Sequence, residues 1–129
     1  MYRVRKSQEF SAAHSLRDYD GPCARIHGHN YRVEVDVVGD KLDDQELLVD
    51  FYEVDRLLEP IVGKVDHQYI NEIPPFVEIN PTAEAIAAWF FRELEPLIQT
   101  TFGGRVKLAA IHLWETQDSC ASFSAESAG

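Results

Sequence analysis

A chain of 129 residues with 45% hydrophobic side chains has the length of one domain and enough apolar mass to bury a core without disulfide or metal staples. Its 12 basic and 22 acidic residues leave a net charge of −10, and such a surface repels phosphate backbones and anionic membranes, which argues against nucleic acid or a membrane as partner. Two cysteines, Cys23 and Cys120, with no charged-then-apolar leader and no apolar run of transmembrane length, point to a reducing, cytoplasmic setting and against a structural disulfide.

No internal repeat, low-complexity tract or linker interrupts the chain, so residues 1–129 read as one domain. A first strand is expected over Arg3 to Ala12, followed by a polar loop from Ser15 to Pro22. From Asn30 to Val38, Tyr31, Val33, Val35 and Val37 alternate with Arg32, Glu34 and Asp36, the period-2 pattern of a half-buried antiparallel strand ended by Gly39 and Asp40. Asp50 and Glu53 resemble a capping box, and Val54, Leu57, Leu58 and Ile61 recur at helical spacing as far as Gly63. Asn80 and Pro81 open a longer helix whose apolar stripe runs from Ile86 to Ile98 and stops at Gly103 and Gly104. Val106 to Glu115 and Cys120 to Ser124 then read as a hairpin. The order β-β-α-α-β-β predicts an α+β layer, one antiparallel sheet with two helices on a single face, and its uncovered edges call for pairing with other copies of the chain.

The chemistry concentrates in Cys23-Ala24-Arg25-Ile26-His27-Gly28-His29. Histidines at i and i+2 on an extended chain point to one side, where both imidazoles can reach one metal, and the glycine between them spares a side chain on the opposite side, which is expected to be crowded. By itself such a pair is more often two exposed turn histidines. His14, at the end of the first strand, can join them through hairpin pairing, and three imidazoles with an open fourth position describe a catalytic zinc site. Cys23 then has three readings: a fourth ligand that closes the site, a free nucleophile or base beside the metal, or, less fitting in this polar loop, a small buried core residue; the first two need the thiolate, which a neighbouring Zn²⁺ and Arg25 favour. Cys120 reads as a packing residue. Asp66 beside His67 can orient that imidazole as a proton shuttle, although such pairs also occur as plain surface residues. Glu115 shares a strand face with Ile111 and Leu113, where a carboxylate can accept two parallel N–H bonds from an amino-heterocycle, with Thr116 as a further polar contact. His112 points to the opposite face and takes no role. The stretch before Tyr31 is mildly basic in an acidic chain, and Arg25 is its member nearest the histidines.

Together FSAAH, CARIHGHNY, DHQYIN, NPTAE and LWET, in this order and spacing, resemble the 6-pyruvoyl-tetrahydropterin synthase family across essentially the whole chain. The three residues between Cys23 and His27 are similar to the 6-carboxytetrahydropterin synthase branch of queuosine biosynthesis. The resemblance implies a tunnelling fold (T-fold) whose sheets close into a barrel in trimers, commonly stacked as hexamers, with active sites between subunits. It also implies zinc on His14, His27 and His29, proton transfer by Cys23 and the Asp66–His67 pair, and a pterin anchored by Glu115 and lined by Thr82 and Glu84. The implied substrate is 7,8-dihydroneopterin triphosphate, whose triphosphate Arg25 is expected to meet. Gln68 stands where many bacterial relatives carry a second histidine, which removes a spare base. The alternatives are a pyruvoyl-forming synthase, which eliminates triphosphate without losing two carbons, and a non-catalytic zinc-stabilised binding module in which Cys23 completes the site.

Overall fold

In a computed structural model, which describes residues 1–125, the first two strands are β1 (Tyr2–His14) and β2 (His27–Gly39), paired antiparallel along their whole length. Both run further than the alternation alone suggested. The ladder takes in the histidines at its end, with His14 opposite His27. Along β2, Tyr31, Val33, Val35 and Val37 are fully buried on one face, and each buried valine contributes about 1.5–3 kcal/mol relative to exposure.

Helix α1 (Phe51–Val65) begins at Asp50, whose carboxylate accepts from the Tyr52 N–H at 2.8 Å, so the cap forms through Tyr52 and not through Glu53. It continues past Gly63 and buries Val54, Leu58, Ile61, Val62 and Val65. Helix α2 (Ala83–Phe102) is capped by Thr82, whose hydroxyl oxygen accepts from Ala85 N–H at 3.1 Å. Asn80, read as part of the helix start, instead exchanges a pair of hydrogen bonds with the backbone of Arg17 (2.8 and 2.9 Å). Gly103 stops α2 at φ 67, in the left-handed region that glycine enters without a Cβ penalty.

Strands β3 (Lys107–Thr116) and β4 (Ser119–Phe123) complete one antiparallel sheet in the order β1-β2-β3-β4. A bulge opposite Asp36 and Val37 shifts the pleat, so that Leu108, Ile111 and Leu113 are all buried. Both helices pack on one face of the sheet, and the buried side chains form one continuous cluster. The other face is polar. There Asp36, only 1% exposed, accepts from Arg3 Nη1 (2.9 Å), Arg5 Nε (2.6 Å) and Nη2 (3.0 Å), and His112 Nε2 (2.8 Å). His112 therefore has a structural role that sequence reasoning did not assign. Burial pushes the Asp36 carboxyl up, and the bonds from Arg5 and His112 overcome it and hold the carboxyl at about 2. Cys120 is exposed on β4 and is not a packing residue, because it lies on a strand at the edge of the sheet.

Candidate active site

Register brings the three histidines together. With His14 opposite His27 and Ala12 opposite His29, alternation places all three imidazoles at one end of the sheet on its helix-covered side. Ring centroids lie 4.5, 5.1 and 4.9 Å apart, and the three ligand atoms are within 4.8 Å of one another. The loops outside the strands orient two of the rings: His14 Nδ1 donates to the Pro81 carbonyl and His27 Nδ1 to the Arg25 carbonyl, both at 2.7 Å. Each Nε2 is then a bare lone pair, the form that binds a metal.

The Nε2 atoms of His14 and His29 are buried and have no hydrogen-bond partner. Burial lowers the pKa of both rings, against the pull of Glu115 and, for His14, of the Pro81 carbonyl, so both are neutral at pH 7. The Glu115 carboxylate lies 4.0 Å from His14 Nε2 and 3.7 Å from His29 Nε2. Lone pairs and a carboxylate converging on one point repel unless a cation sits among them. The donor set fits a zinc ion, which takes imidazole nitrogens at about 2.0–2.1 Å.

Among the described residues, the cluster with metal-ligand spacing consists of these three histidines, and the Cys23 thiol lies outside it. Cys23 sits half-buried in a short 3-10 turn, Pro22–Ala24, whose return is fixed by the Leu16 N–H donating to the Cys23 carbonyl at 2.8 Å. That bond closes the loop back onto the end of β1, two residues past His14.

Asp66 and His67 follow α1 and seal the outer edge of β1. Ser11 N–H donates to Asp66 Oδ1 (3.0 Å), His67 N–H to the Ser11 carbonyl (2.6 Å), and Ala13 N–H to the Gln68 carbonyl (3.0 Å). His67 Nδ1 lies 2.9 Å from Asp66 Oδ1, and the Ser11 N–H is the first cause of the depressed Asp66 carboxyl pKa. His67 occupies the left-handed region at φ 59, and its side chain is 79% exposed.

An open pocket of about 900 Å³ is lined by His29, Glu115 and Thr116 together with Asp66 and His67. A smaller cleft on the other side of Glu115, about 430 Å³, is lined by Glu84 and β4. Glu115 thus forms the wall between the two. Thr82 is occupied as the α2 cap, Thr116 Oγ1 donates to Asp118 Oδ1 at 2.8 Å in the β3–β4 turn, and the Arg25 side chain is exposed on its loop. Gly28 is less crowded than expected: an added Cβ would meet only the Ala12 carbonyl, at 3.4 Å. Its lack of a side chain opens the pocket wall instead.

Two features escaped the sequence reading. Pro81 reads as part of a helix start, yet its carbonyl sets the His14 tautomer. Tyr31 reads as one of the apolar residues of β2, yet its hydroxyl is buried without a partner at this same end of the sheet. Burial, with the charge of Glu115 adding to it, drives that phenol pKa far upward. The signal for Tyr31 was present, since it continues the histidine face two residues beyond His29.

Residues 3–126 match the family described as 6-pyruvoyl tetrahydropterin synthase. The chain belongs to that family. It is 34% identical, over 95% of its length and 93% of the relative's, to a protein of Synechocystis named 6-carboxy-5,6,7,8-tetrahydropterin synthase. It is 30% identical, over 88% of its length and 89% of the relative's, to a Pyrococcus furiosus protein named dihydroneopterin monophosphate aldolase. Among solved structures, 6-pyruvoyl tetrahydropterin synthase of Caenorhabditis elegans superposes with a TM-score of 0.83, covering 97% of this chain and 96% of that one at 21% identity. That likeness shows the fold, the four-stranded sheet and two helices of the tunnelling fold.

Proposed function

We propose that this protein is a zinc-dependent 6-carboxy-5,6,7,8-tetrahydropterin synthase, converting 7,8-dihydroneopterin triphosphate and water to 6-carboxytetrahydropterin, acetaldehyde and triphosphate, a step of the queuosine route. The observation that carries this reading is the convergence of His14, His27 and His29, two of them (His14 and His29) with buried and unpartnered nitrogens, next to a pocket that His29, Glu115 and the Asp66–His67 pair line.

The three imidazoles hold the metal, and a bound zinc ion supplies Lewis acidity that lowers the pKa of substrate hydroxyls. Glu115 accepts the amino group and adjacent ring N–H of the pterin, which fixes the ring and hence where its side chain reaches. Asp66 keeps the His67 imidazole in the tautomer with Nδ1 protonated, leaving Nε2 to accept a proton. Cys23 is the second proton-transfer group, free of the metal. Thr82, Glu84 and Thr116 line the pterin site, and Arg25 meets the triphosphate.

His67 is too exposed to exclude water by itself, and β1 and β4 are sheet edges. Closure of sheets into a trimer or hexamer, with each site completed by a neighbouring subunit, answers both. No described helix is long and apolar enough to cross a membrane.

The test is incubation of zinc-loaded protein with dihydroneopterin triphosphate and identification of products by mass spectrometry, with dihydroneopterin monophosphate as control substrate. Acetaldehyde with 6-carboxytetrahydropterin is the expected result. A pyruvoyl pterin without acetaldehyde would reassign the chemistry to triphosphate elimination. Turnover of the monophosphate alone would reassign it to an aldolase. No turnover, in a protein that unfolds on chelation, would leave a zinc-stabilised binding module.

A further inference from the structure

Tyr31 is fully buried, and its hydroxyl is one of three buried side-chain polar atoms without a partner among the described residues. The other two are the nitrogens of His14 and His29, which a metal satisfies. The Tyr31 ring stacks on Phe10 at 4.9 Å and 10°, and lies 5.3 Å from the His29 ring and 5.9 Å from the His14 ring, nearly perpendicular to both. Packing on these sides sets the direction of the phenol, and a phenol kept dry among apolar neighbours is destabilising unless its O–H finds an acceptor.

The charge that bears on this phenol is that of Glu115. Arg32 pairs with Trp114 across β2 and β3, so the next residues of the antiparallel pair, Tyr31 and Glu115, adjoin on the face that also carries Val33 and Leu113. Among the described residues Glu115 makes no hydrogen bond of its own, and its close polar neighbours are the nitrogens of His14 and His29. His14 cannot donate to it, because its ring proton is given to Pro81. A carboxylate has about four lone-pair sites, of which a pterin edge takes two. A dry donor behind the carboxylate leaves its pocket side for the ligand.

We propose that Tyr31 is a positioning residue: its O–H, unpartnered in this structure, turns to donate to the Glu115 carboxylate in the zinc-loaded protein and holds it in the orientation that accepts the pterin. The pterin half of this statement rests on the function proposed above; the contact itself does not.

The test is a double-mutant cycle on zinc-loaded protein at fixed protomer concentration: parent, Tyr31→Phe, Glu115→Ala and the double variant. Biopterin affinity, zinc content and thermal midpoint are measured for each. Phenylalanine keeps the ring packed on Phe10, so the variant folds. Tyr31→Phe is expected to weaken biopterin binding about 10-fold where Glu115 is present and less than about 2-fold where it is alanine, and to lower the midpoint by roughly 2–4 °C in the first background only. Equal losses in both backgrounds overturn the proposal, as does a higher midpoint for Tyr31→Phe beside an intact Glu115, the mark of a hydroxyl with no partner. Loss of zinc in Glu115→Ala also overturns it, by making the carboxylate a metal ligand. If the parent binds no biopterin while the thermal cycle still shows coupling, the contact stands and the pterin reading fails.

Discussion

Asp36→Asn tests the polar side of the sheet, where a single carboxylate balances two arginines and a histidine. The substitution keeps the side-chain shape and removes the charge that accepts from Arg3, Arg5 and His112. A carboxyl held at about 2 in place of its usual 3.8 favours the folded state by roughly 2 kcal/mol at neutral pH. Because the folded value lies below the unfolded one, that stabilisation is complete above about pH 4 and fades as pH falls towards 2. In urea at pH 7 and constant protomer concentration, the variant is expected to unfold at a midpoint lower by roughly 1–2 M. The gap between parent and variant should narrow steadily from pH 4 downwards. Zinc content should not change, since Asp36 lies seven residues along β2 from His29, roughly 23 Å. Equal midpoints at pH 7, or a gap that stays constant between pH 7 and pH 2, would refute the view that these ion-paired hydrogen bonds carry the stabilisation.

Three further outcomes concern the site. Cys23→Ala is expected to keep close to one zinc per chain while losing roughly 10²- to 10⁴-fold in turnover, and zinc loss on dialysis would instead make the thiol a ligand. His27→Ala and His29→Ala should each lose metal and activity together, since each removes one of three ligands; full occupancy by elemental analysis would exclude that residue from the site. Glu115→Gln should weaken pterin binding by roughly 5- to 150-fold in a titration while retaining zinc, because the amide sets N–H against N–H; unchanged affinity would remove Glu115 as the anchor.

Periodicity alone determined the order of elements, because a strand or helix exposed to water on one side must write its period into the sequence, and β2 and both helices do so clearly. The His27 and His29 pair was legible for the same reason: a two-residue spacing on an extended chain puts side chains on one side whatever surrounds them. What the sequence could not carry was register and loop closure. Whether His14 faces His27 depends on the pairing of β1 with β2, a contact between distant parts of the chain. The roles of Pro81 and Asn80 arise because a side chain meets the backbone of a distant segment, His14 on the Pro81 carbonyl and Asn80 on the backbone of Arg17, and backbone groups leave no signature in residue identity. For Asp36 and Tyr31 packing decides instead. A polar residue in an alternating strand reads as solvent-facing and an aromatic one as core, and only tertiary packing decided that Asp36 is buried under two arginines and that Tyr31 brings its hydroxyl into the core beside the histidines, where a dry polar atom requires a partner.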